Sequence, residues 1–253
     1  MASLQAWVRS TDEQVGSHLL RHMVATQDGV EVGVHWAAEA VPGAYVSPKR
    51  VADILESLGK PAAATFLKSR LPTGRKARSG DLGEIIGAQI VTSELGYPTV
   101  SRLRWKDHRE MAMRGDDIIG VRLPDSGAVQ FLKGEAKSIA SLDMRTVEDA
   151  DRALQGDDGR PSPHALQFVA ERLHEQGDDA LGRAVDAALL VHGITEQQVV
   201  QLLFTFTGGN PCNLLRTNTK AYSGAIRRFV VGLQVRGHQE FVAAVYDKVV
   251  ADA

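Results

Sequence analysis

The chain has 253 residues, 43% hydrophobic and 24% charged side chains, one cysteine and a formal net charge of −2. One cysteine excludes an intrachain disulfide and a cysteine-rich zinc site, and no apolar run reaches the roughly 18–20 residues of a transmembrane helix. Because the N-terminus also lacks the pattern of a secretory signal, we expect a cytoplasmic protein that has no membrane partner. The balanced charge means that any surface for nucleic acid is local or is completed by a partner.

The first 70 residues contain two short helices with clear sequence signals. Ser47 followed by Pro48 is typical of a helix start, and the helix should run to about Leu58. A second helix over 61–69 follows after a short turn. Before them, residues 30–36 alternate apolar and polar side chains, which predicts a short strand. The rest of residues 1–46 gives no clear pattern.

A change of composition at residues 71–80 marks a predicted boundary between two parts of the chain. This basic stretch is rich in Gly, Pro and Ser, and we expect a mobile loop. It would separate an N-terminal accessory module (1–70) from the main domain (71–253). The main domain should begin with a helix over 81–95, and three strands are predicted after it, over 100–105, 117–123 and 130–137.

The remaining chain predicts helices and strands around one sheet. Residues 141–159 are acidic and are expected to be irregular. Further helices are predicted over 162–176, 178–192 and 238–250, and further strands over 199–207 and 229–235. This order predicts an α/β fold in which a mixed sheet is flanked by helices.

The strongest functional signal is a predicted hairpin that brings two acids together. Residues 114–120 (Arg-Gly-Asp-Asp-Ile-Ile-Gly) and 131–137 (Phe-Leu-Lys-Gly-Glu-Ala-Lys) flank the turn sequence Leu-Pro-Asp-Ser-Gly. If the hairpin is centred on Ser126, residues equally distant from Ser126 face each other. Asp117 and Glu135 meet this condition, so their Cβ atoms should lie about 4.5–5.5 Å apart on one face.

Two opposed carboxylates destabilise a hairpin unless a cation lies between them, and carboxylate oxygens are the ligands that Mg²⁺ prefers. Lys137, two residues after Glu135, should point to the same face. A carboxylate-held Mg²⁺ or Mn²⁺ with a nearby ammonium is suited to hydrolysis of a phosphodiester. Alternation places Asp116 on the opposite face, which favours Asp117 as the ligand, although a β-bulge would reverse this choice.

Glu84, on the helix predicted to begin near Asp81, has two interpretations. It could bind the metal directly or through water, or it could complete a capping box with Asp81. Ser138, directly after Lys137, could bond a phosphate. Two basic clusters flank the predicted site and are either solvated surfaces or part of a nucleic-acid surface. Their members are Lys68, Arg70, Arg75, Lys76 and Arg78, and Arg102, Arg104, Lys106, Arg109 and Arg114.

Over about residues 80–140, the chain resembles the PD-(D/E)xK nuclease superfamily, and more specifically the HamA family of nuclease subunits from the Hachiman anti-phage system. The matching residues are Gly83-Glu84, Gly115-Asp116-Asp117 and Glu135-Ala136-Lys137-Ser138. The resemblance implies a restriction-endonuclease-like core that cleaves DNA. It also implies metal binding by Asp117, Glu135 and Glu84, catalysis by Lys137 and a helicase partner. The second acid, Asp116, departs from the pattern.

Two non-enzymatic alternatives remain at the level of sequence. The helices predicted over 48–58 and 61–69 resemble a helix-turn-helix, which would indicate a DNA-binding protein, but the second offers few side chains that read bases. The chain could also be an interaction subunit on an inactive nuclease fold. Retention of Asp117, Glu135 and Lys137 disfavours that interpretation.

Overall fold

The secondary structure is taken from a computed structural model that describes residues 3–101, 103–106, 108–110, 115–125 and 127–253. The strands are β1 (Val8–Val15), β2 (His18–Ala25), β3 (Ile118–Arg122), β4 (Gln130–Ile139), β5 (Val199–Thr207) and β6 (Arg227–Gln234). The helices are α1 (Val30–Tyr45), α2 (Pro48–Leu58), α3 (Lys60–Arg70), α4 (Arg75–Leu95), α5 (Met144–Gln155), α6 (Pro163–Glu175), α7 (Asp179–Ala187), α8 (Cys212–Ala221) and α9 (His238–Asp252).

The strands form one mixed sheet in the order β1-β2-β6-β5-β4-β3. The four central strands are parallel, whereas the outer pairs β1/β2 and β3/β4 are antiparallel hairpins. This arrangement confirms the predicted α/β class with a mixed sheet and is compatible with a restriction-endonuclease-like core. It also leaves β3 at an edge of the sheet, so that residues near its start are accessible from the side.

Helices cover both faces of the sheet because alternate residues of the central strands are apolar on both sides. On one face, Leu132 and Phe204 belong to a core that includes α1, α4 and α9. On the other face, Phe131 and Leu203 pack in cores that include α5, α6, α7 and α8. In the part of the chain that the structure describes, no helix is long and apolar enough to cross a membrane.

The predicted helices with strong start and stop signals are confirmed. Ser47 caps α2 by accepting a hydrogen bond from Arg50 N–H (3.2 Å), and Ser162 caps α6 in the same way. The predicted α3, α7 and α9 are present, and α7 continues through a wider turn to His192. The two predicted C-terminal strands correspond to β5 and β6.

The strand predicted over 30–36 is wrong, because these residues begin α1. Their alternation ends at Trp36, after which buried residues follow helical spacing (Ala37, Val41, Tyr45). Gly33 permits the helix to pack on Trp7, since a Cβ there would lie 2.5 Å from the indole ring. Tertiary packing therefore overrides the strand preference of the valines.

The strand predicted over 100–105 is also wrong. The described residues there form a short 3-10 turn, Leu103–Trp105, after a single β-bridge at Thr99; Arg102 lies outside the described residues. The loop predicted over 71–80 is helical from Arg75, and the irregular segment predicted over 141–159 contains α5, capped by Asp143. The sequence interpretation had no prediction for β1, β2 or α8.

The domain boundary at residue 71 stays a prediction. The two predicted parts share one sheet, because β2 pairs with β6 along six residues from Leu19 to Val24. They also share one apolar core, which includes Trp36 and Val41 from the first part and Ile86 from the second. The N-terminal segment therefore completes the sheet that carries the candidate site.

Candidate active site

The β3/β4 hairpin has the predicted register. Ile118 pairs with Gly134 and Arg122 with Gln130, so opposed residues are equally distant from position 126. Ser126 itself lies outside the described residues. β3 begins at Ile118, one residue after Asp117, and the register therefore places Asp117 beside Glu135 at the end of the hairpin ladder.

Asp117 and Glu135 interact through their carboxyl groups. The backbone N–H of Ala136 donates to Asp117 Oδ2 (3.0 Å), which fixes the aspartate against β4. Glu135 is only 8% exposed. Burial, together with the charge of Asp117, raises the pKa of Glu135 to about 7, although Lys137 acts in the opposite direction. Two carboxyl groups thus lie close together, and one of them is largely buried.

Lys137 supplies a positive charge next to this pair. Its Nζ lies 2.5 Å from Glu135 Oε1. Burial by itself would lower the pKa of Lys137, but the charges of Glu135 and Asp117 outweigh burial and raise it. The ammonium is therefore protonated at neutral pH. The structure brings three of the four sequence-predicted site residues together.

Asp116 differs from Asp117 in its partners. Its carboxylate is buried, lies 3.3 Å from Lys133 Nζ through Oδ1 and accepts a hydrogen bond from Ser162 N–H through Oδ2 (2.9 Å). The sequence interpretation preferred Asp117 because strand alternation would place Asp116 on the opposite face of the sheet. This reason is wrong, because Asp116 precedes β3 and its carboxylate contacts Lys133, which lies on the same face of β4 as Glu135. Its oxygens are instead occupied by protein donors, and this supports a structural role for Asp116.

Glu84 reaches the site region from helix α4. Gly83 and Gly87 let α4 approach the hairpin closely: a Cβ at Gly83 would lie 2.7 Å from Ser138 Cβ, and one at Gly87 2.6 Å from Ile118 Cδ1. The capping-box interpretation of Glu84 is wrong, because α4 begins at Arg75 and Asp81 lies inside it. Glu84 therefore does not act at a helix start.

Glu84 and Asp117 line the same cleft, which has a volume of about 490 Å³. The cleft lies beside the edge strand β3 and is bounded by α1, α4 and residues 99–101, 103 and 104. Glu39 adds a further carboxylate to its lining and Arg104 a cation. Arg104 is partly committed to the fold, because its guanidinium donates to Gly43 O (2.6 and 2.9 Å).

The donor set fits a hard divalent cation with few protein ligands. In the part of the chain that the structure describes, no group of three or more His, Cys, Asp or Glu side chains is close enough to hold a metal ion. The pair of Asp117 and Glu135 offers two carboxylates, and Mg²⁺ is commonly held by one or two carboxylates, with waters and substrate phosphates as its other ligands. The raised pKa of Glu135 indicates that a cation would relieve the repulsion there.

A buried polar network, which the sequence interpretation missed, holds α4 in place. Lys106 Nζ lies 2.7 and 2.8 Å from the carboxylate of Asp81, to which Tyr45 also donates (2.5 Å). Tyr45 in turn lies 2.9 Å from the hydroxyl of Tyr246. Burial raises the pKa of Asp81 despite these donors. Lys106, assigned to a basic cluster from sequence, is thus a buried structural residue; Arg102 and Arg114 of that cluster lie outside the described residues.

Comparison with known proteins identifies the family. A family model described as HamA matches residues 5–249. The chain belongs to the HamA family. A protein of Bacillus cereus named Hachiman protein HamA is 33% identical over 115 residues, which cover 45% of this chain and 40% of that relative. The resemblance seen over about residues 80–140 is thereby confirmed and extends over nearly the whole chain.

Proposed function

We propose that this HamA-family chain is a metal-dependent nuclease that hydrolyses DNA phosphodiester bonds as part of Hachiman anti-phage defence. The observation that carries the proposal is the close approach of two carboxyl groups and an ammonium on the hairpin. Asp117 lies beside the buried Glu135, and the Nζ of Lys137 lies 2.5 Å from Glu135 Oε1. Perturbed carboxyl groups that line or adjoin a cleft are typical of functional sites.

Asp117 and Glu135 are the residues that would hold Mg²⁺ or Mn²⁺. The Ala136 N–H orients Asp117, and the buried position of Glu135 keeps its carboxyl group from turning into bulk water. The cation would supply positive charge next to a phosphoryl oxygen and would lower the pKa of a bound water. Glu84, across the cleft from Asp117, would bind through water or directly.

Lys137 has a separate role in this proposal. Its ammonium stays charged because two carboxylates lie next to it. It donates to Glu135 and remains about one-third exposed, so it can also donate to a water or to a phosphate oxygen that enters the site. A fixed donor at that place stabilises the charge that develops on phosphorus during hydrolysis.

The proposal includes a helicase partner that delivers or licenses the DNA. The near-neutral composition supports this part, because a protein with net charge −2 has little overall attraction for a polyanion. The relative's name, Hachiman protein HamA, places that relative in the same defence system.

The test is a cleavage assay on supercoiled and linear DNA, with and without the co-purified partner, in Mg²⁺, Mn²⁺ or EDTA. We expect metal-dependent cleavage that falls about 100- to 1000-fold in Glu135→Gln and Lys137→Met. Glu171→Gln and Lys220→Met serve as matched controls, because they make the same chemical changes at exposed helix positions. Their cleavage should equal that of the wild type.

Cleavage that persists in EDTA or in both site variants would refute the proposed chemistry. DNA binding without cleavage, both alone and with the partner, would instead support a non-catalytic DNA-binding subunit. A parallel assay with an RNA substrate decides between DNA and RNA, because the proposed chemistry acts on the phosphodiester group that both nucleic acids share.

A further inference from the structure

A second cavity, of about 780 Å³, lies between the start of α4, the end of β4 and the start of α9. It is separate from the cleft that Glu84 and Asp117 line, since the two share no lining residue. Its size is within the range of sites for small molecules or single nucleotides. Nothing in the proposed chemistry of Asp117, Glu135 and Lys137 uses this cavity.

The α4 side of the cavity carries positive charge at the start of the helix, where the helix dipole disfavours cations. Arg75, Lys76 and Arg78 all lie in the first turn of α4 and line the cavity. Cations in the first turn oppose the helix dipole, so their clustering there costs stability unless an anion binds. Arg75 and Lys76 are exposed and have no hydrogen-bond or ion-pair partner among the described residues.

Two carboxylates also line the cavity, but they leave an excess of positive charge. Asp247 lies 3.9 Å from Arg78, which also donates to Pro72 O and stacks on Tyr246. Glu240 is the other. Glu110 accepts hydrogen bonds from the N–H groups of Thr73 and Gly74 just before α4 and does not line the cavity.

The floor of the cavity contains a chain of polar groups that ends in an unsatisfied atom. Ser79 Oγ lies 2.9 Å from Ser138 Oγ, which lies 3.0 Å from His238 Nε2. His238 is 3% exposed, and its Nδ1 has no hydrogen-bond partner in the described part of the chain. A buried polar atom without a partner indicates a bound water or ligand group nearby.

Apart from Gln239, the rest of the lining is apolar. Ile139, Val242 and Ala243 contribute apolar surface, and Ile139 is 41% exposed. A cationic rim with hydroxyl donors and an apolar wall matches a phosphate that carries an organic group better than it matches a bare inorganic anion.

We propose that this cavity binds one nucleotide unit of a nucleic-acid strand, with its phosphate on Arg75, Lys76 and Ser79 and its nucleoside against Ile139 and Val242. The proposal rests on the proposed function in one respect, that nucleic acid is the substrate. Ser138 directly follows Lys137 on β4 but points to the opposite face of the sheet, so a strand held here would reach the candidate active site around the end of β4. The cavity would therefore position the strand.

The test measures binding without metal, so that its result does not depend on cleavage. Fluorescence anisotropy with labelled single-stranded and duplex DNA in EDTA is recorded over a range of salt concentrations. In Arg75→Gln/Lys76→Gln we expect affinity to fall on the order of tenfold, and the slope of log affinity against log salt to decrease by about 1 to 2. Lys49→Gln/Arg50→Gln removes the same two charges from the first turn of α2 and should match the wild type.

A second pair of variants tests the α9 side of the cavity. Ala243→Glu places a negative charge on an exposed position of α9 that lines the cavity, and Ala244→Glu places it on the exposed neighbour that does not. Only Ala243→Glu should weaken DNA binding, and both should keep the melting temperature of the wild type.

Deoxythymidine monophosphate and inorganic phosphate are titrated in parallel to separate the sources of the phosphate. If the binding of these small molecules depends on Arg75 and Lys76 but the binding of DNA does not, the ligand is a free small molecule. The proposal that the cavity binds a nucleic-acid strand is then overturned. Equal DNA affinity and salt slope in both double variants, or no binding of DNA by the wild type at low salt, would overturn the phosphate site for this chain. A loss of cleavage in Glu135→Gln with unchanged DNA binding would leave the inference standing.

Discussion

Asp116 and Asp117 are neighbours in the sequence, yet their carboxylates have opposite surroundings. Asp116 faces one cation, Lys133, and one backbone donor, so a single negative charge is balanced. Asp117 faces a second acid, Glu135, and the two share Lys137. Both sites use residues of one face of β4, Lys133 in the first and Glu135 and Lys137 in the second. They differ in that a second carboxyl group lies beside Asp117, whereas a lysine and a backbone N–H contact Asp116.

The difference separates a buried structural ion pair from the candidate active site. A buried pair with balanced charge and satisfied hydrogen bonds keeps its geometry without a ligand, and its loss costs stability. A cluster with excess charge is poorly stabilised by the protein itself and gains from a cation. Variants at the two sites should therefore fail in different ways.

The largest expected effect on stability is in Lys133→Met. Lys133 is 2% exposed and also donates to Gly156 O and Arg160 O, so its removal leaves Asp116 buried without its cation. We expect the free energy of unfolding to fall by about 3–5 kcal/mol in urea denaturation. Lys137→Met should cost much less stability, because Glu135 can take up a proton.

The matched control is Asp116→Asn/Lys133→Met, which removes both charges. It should recover part of the stability lost in Lys133→Met. If Lys133→Met and Lys137→Met lower stability equally, the contrast between the two sites is wrong.

The next effect concerns pH. The pKa of Glu135 is raised to about 7, so between its ordinary value and 7 the folded protein holds a proton that the unfolded chain releases. Stability therefore falls as pH rises through this window. Glu135→Gln cannot titrate, so its stability relative to the wild type should increase by roughly 2 kcal/mol from about pH 5 to pH 8.

Urea denaturation of both proteins at the two pH values measures this change, and Glu148→Gln is the exposed control. Mg²⁺ added at the higher pH should stabilise the wild type more than Glu135→Gln, because metal binding requires the carboxylate. A difference that does not depend on pH would mean that Glu135 is not perturbed.

A smaller effect is expected at Glu84. If Glu84 acts through water, Glu84→Gln should lower metal-dependent cleavage by about 10- to 100-fold, less than Glu135→Gln does. Glu94→Gln, the same change near the other end of α4, should leave cleavage unchanged. Steady-state cleavage rates at several Mg²⁺ concentrations measure both variants, and equal rates for Glu84→Gln and wild type would remove Glu84 from the site.

The smallest effect is expected at an exposed ion pair. Arg152 and Asp149 lie 2.8 Å apart on α5, but their side chains are 75% and 48% exposed. Arg152→Gln should change the free energy of unfolding by less than about 0.5 kcal/mol. A larger loss would show that the exposed fraction of a side chain does not predict how much its ion pair contributes to stability. The expected difference in stability between Lys133→Met and Lys137→Met would then lose its basis.

The hairpin and most C-terminal elements could be predicted from the sequence because their signals are local. The turn between Leu123 and Gly127 and the spacing of the apolar residues set the β3/β4 register, and the register sets which acids are opposed. Ser47 and Ser162 marked helix starts by the hydrogen bond that each makes within its own first turn.

The predictions that failed depend on distant partners. Residues 30–36 form a helix because Gly33 and Trp36 pack on Trp7, which follows a separate turn. Residues 75–80 extend α4 although they are basic and end in Ser79 and Gly80, since the helix is anchored at Asp81 by Lys106. Local patterns carry no information on such contacts.

The sequence by itself determined the family resemblance, the α/β class, and the pairing of Asp117 with Glu135 beside Lys137, since each follows from motifs and from the period of a strand. The tertiary structure decided which charges are balanced: Asp116 by Lys133 and Asp81 by Lys106. It also decided that the start of α4 meets the start of α9 across a cavity. The physical reason is that burial and solvation, which set the cost of a charge, depend on residues that only folding brings together.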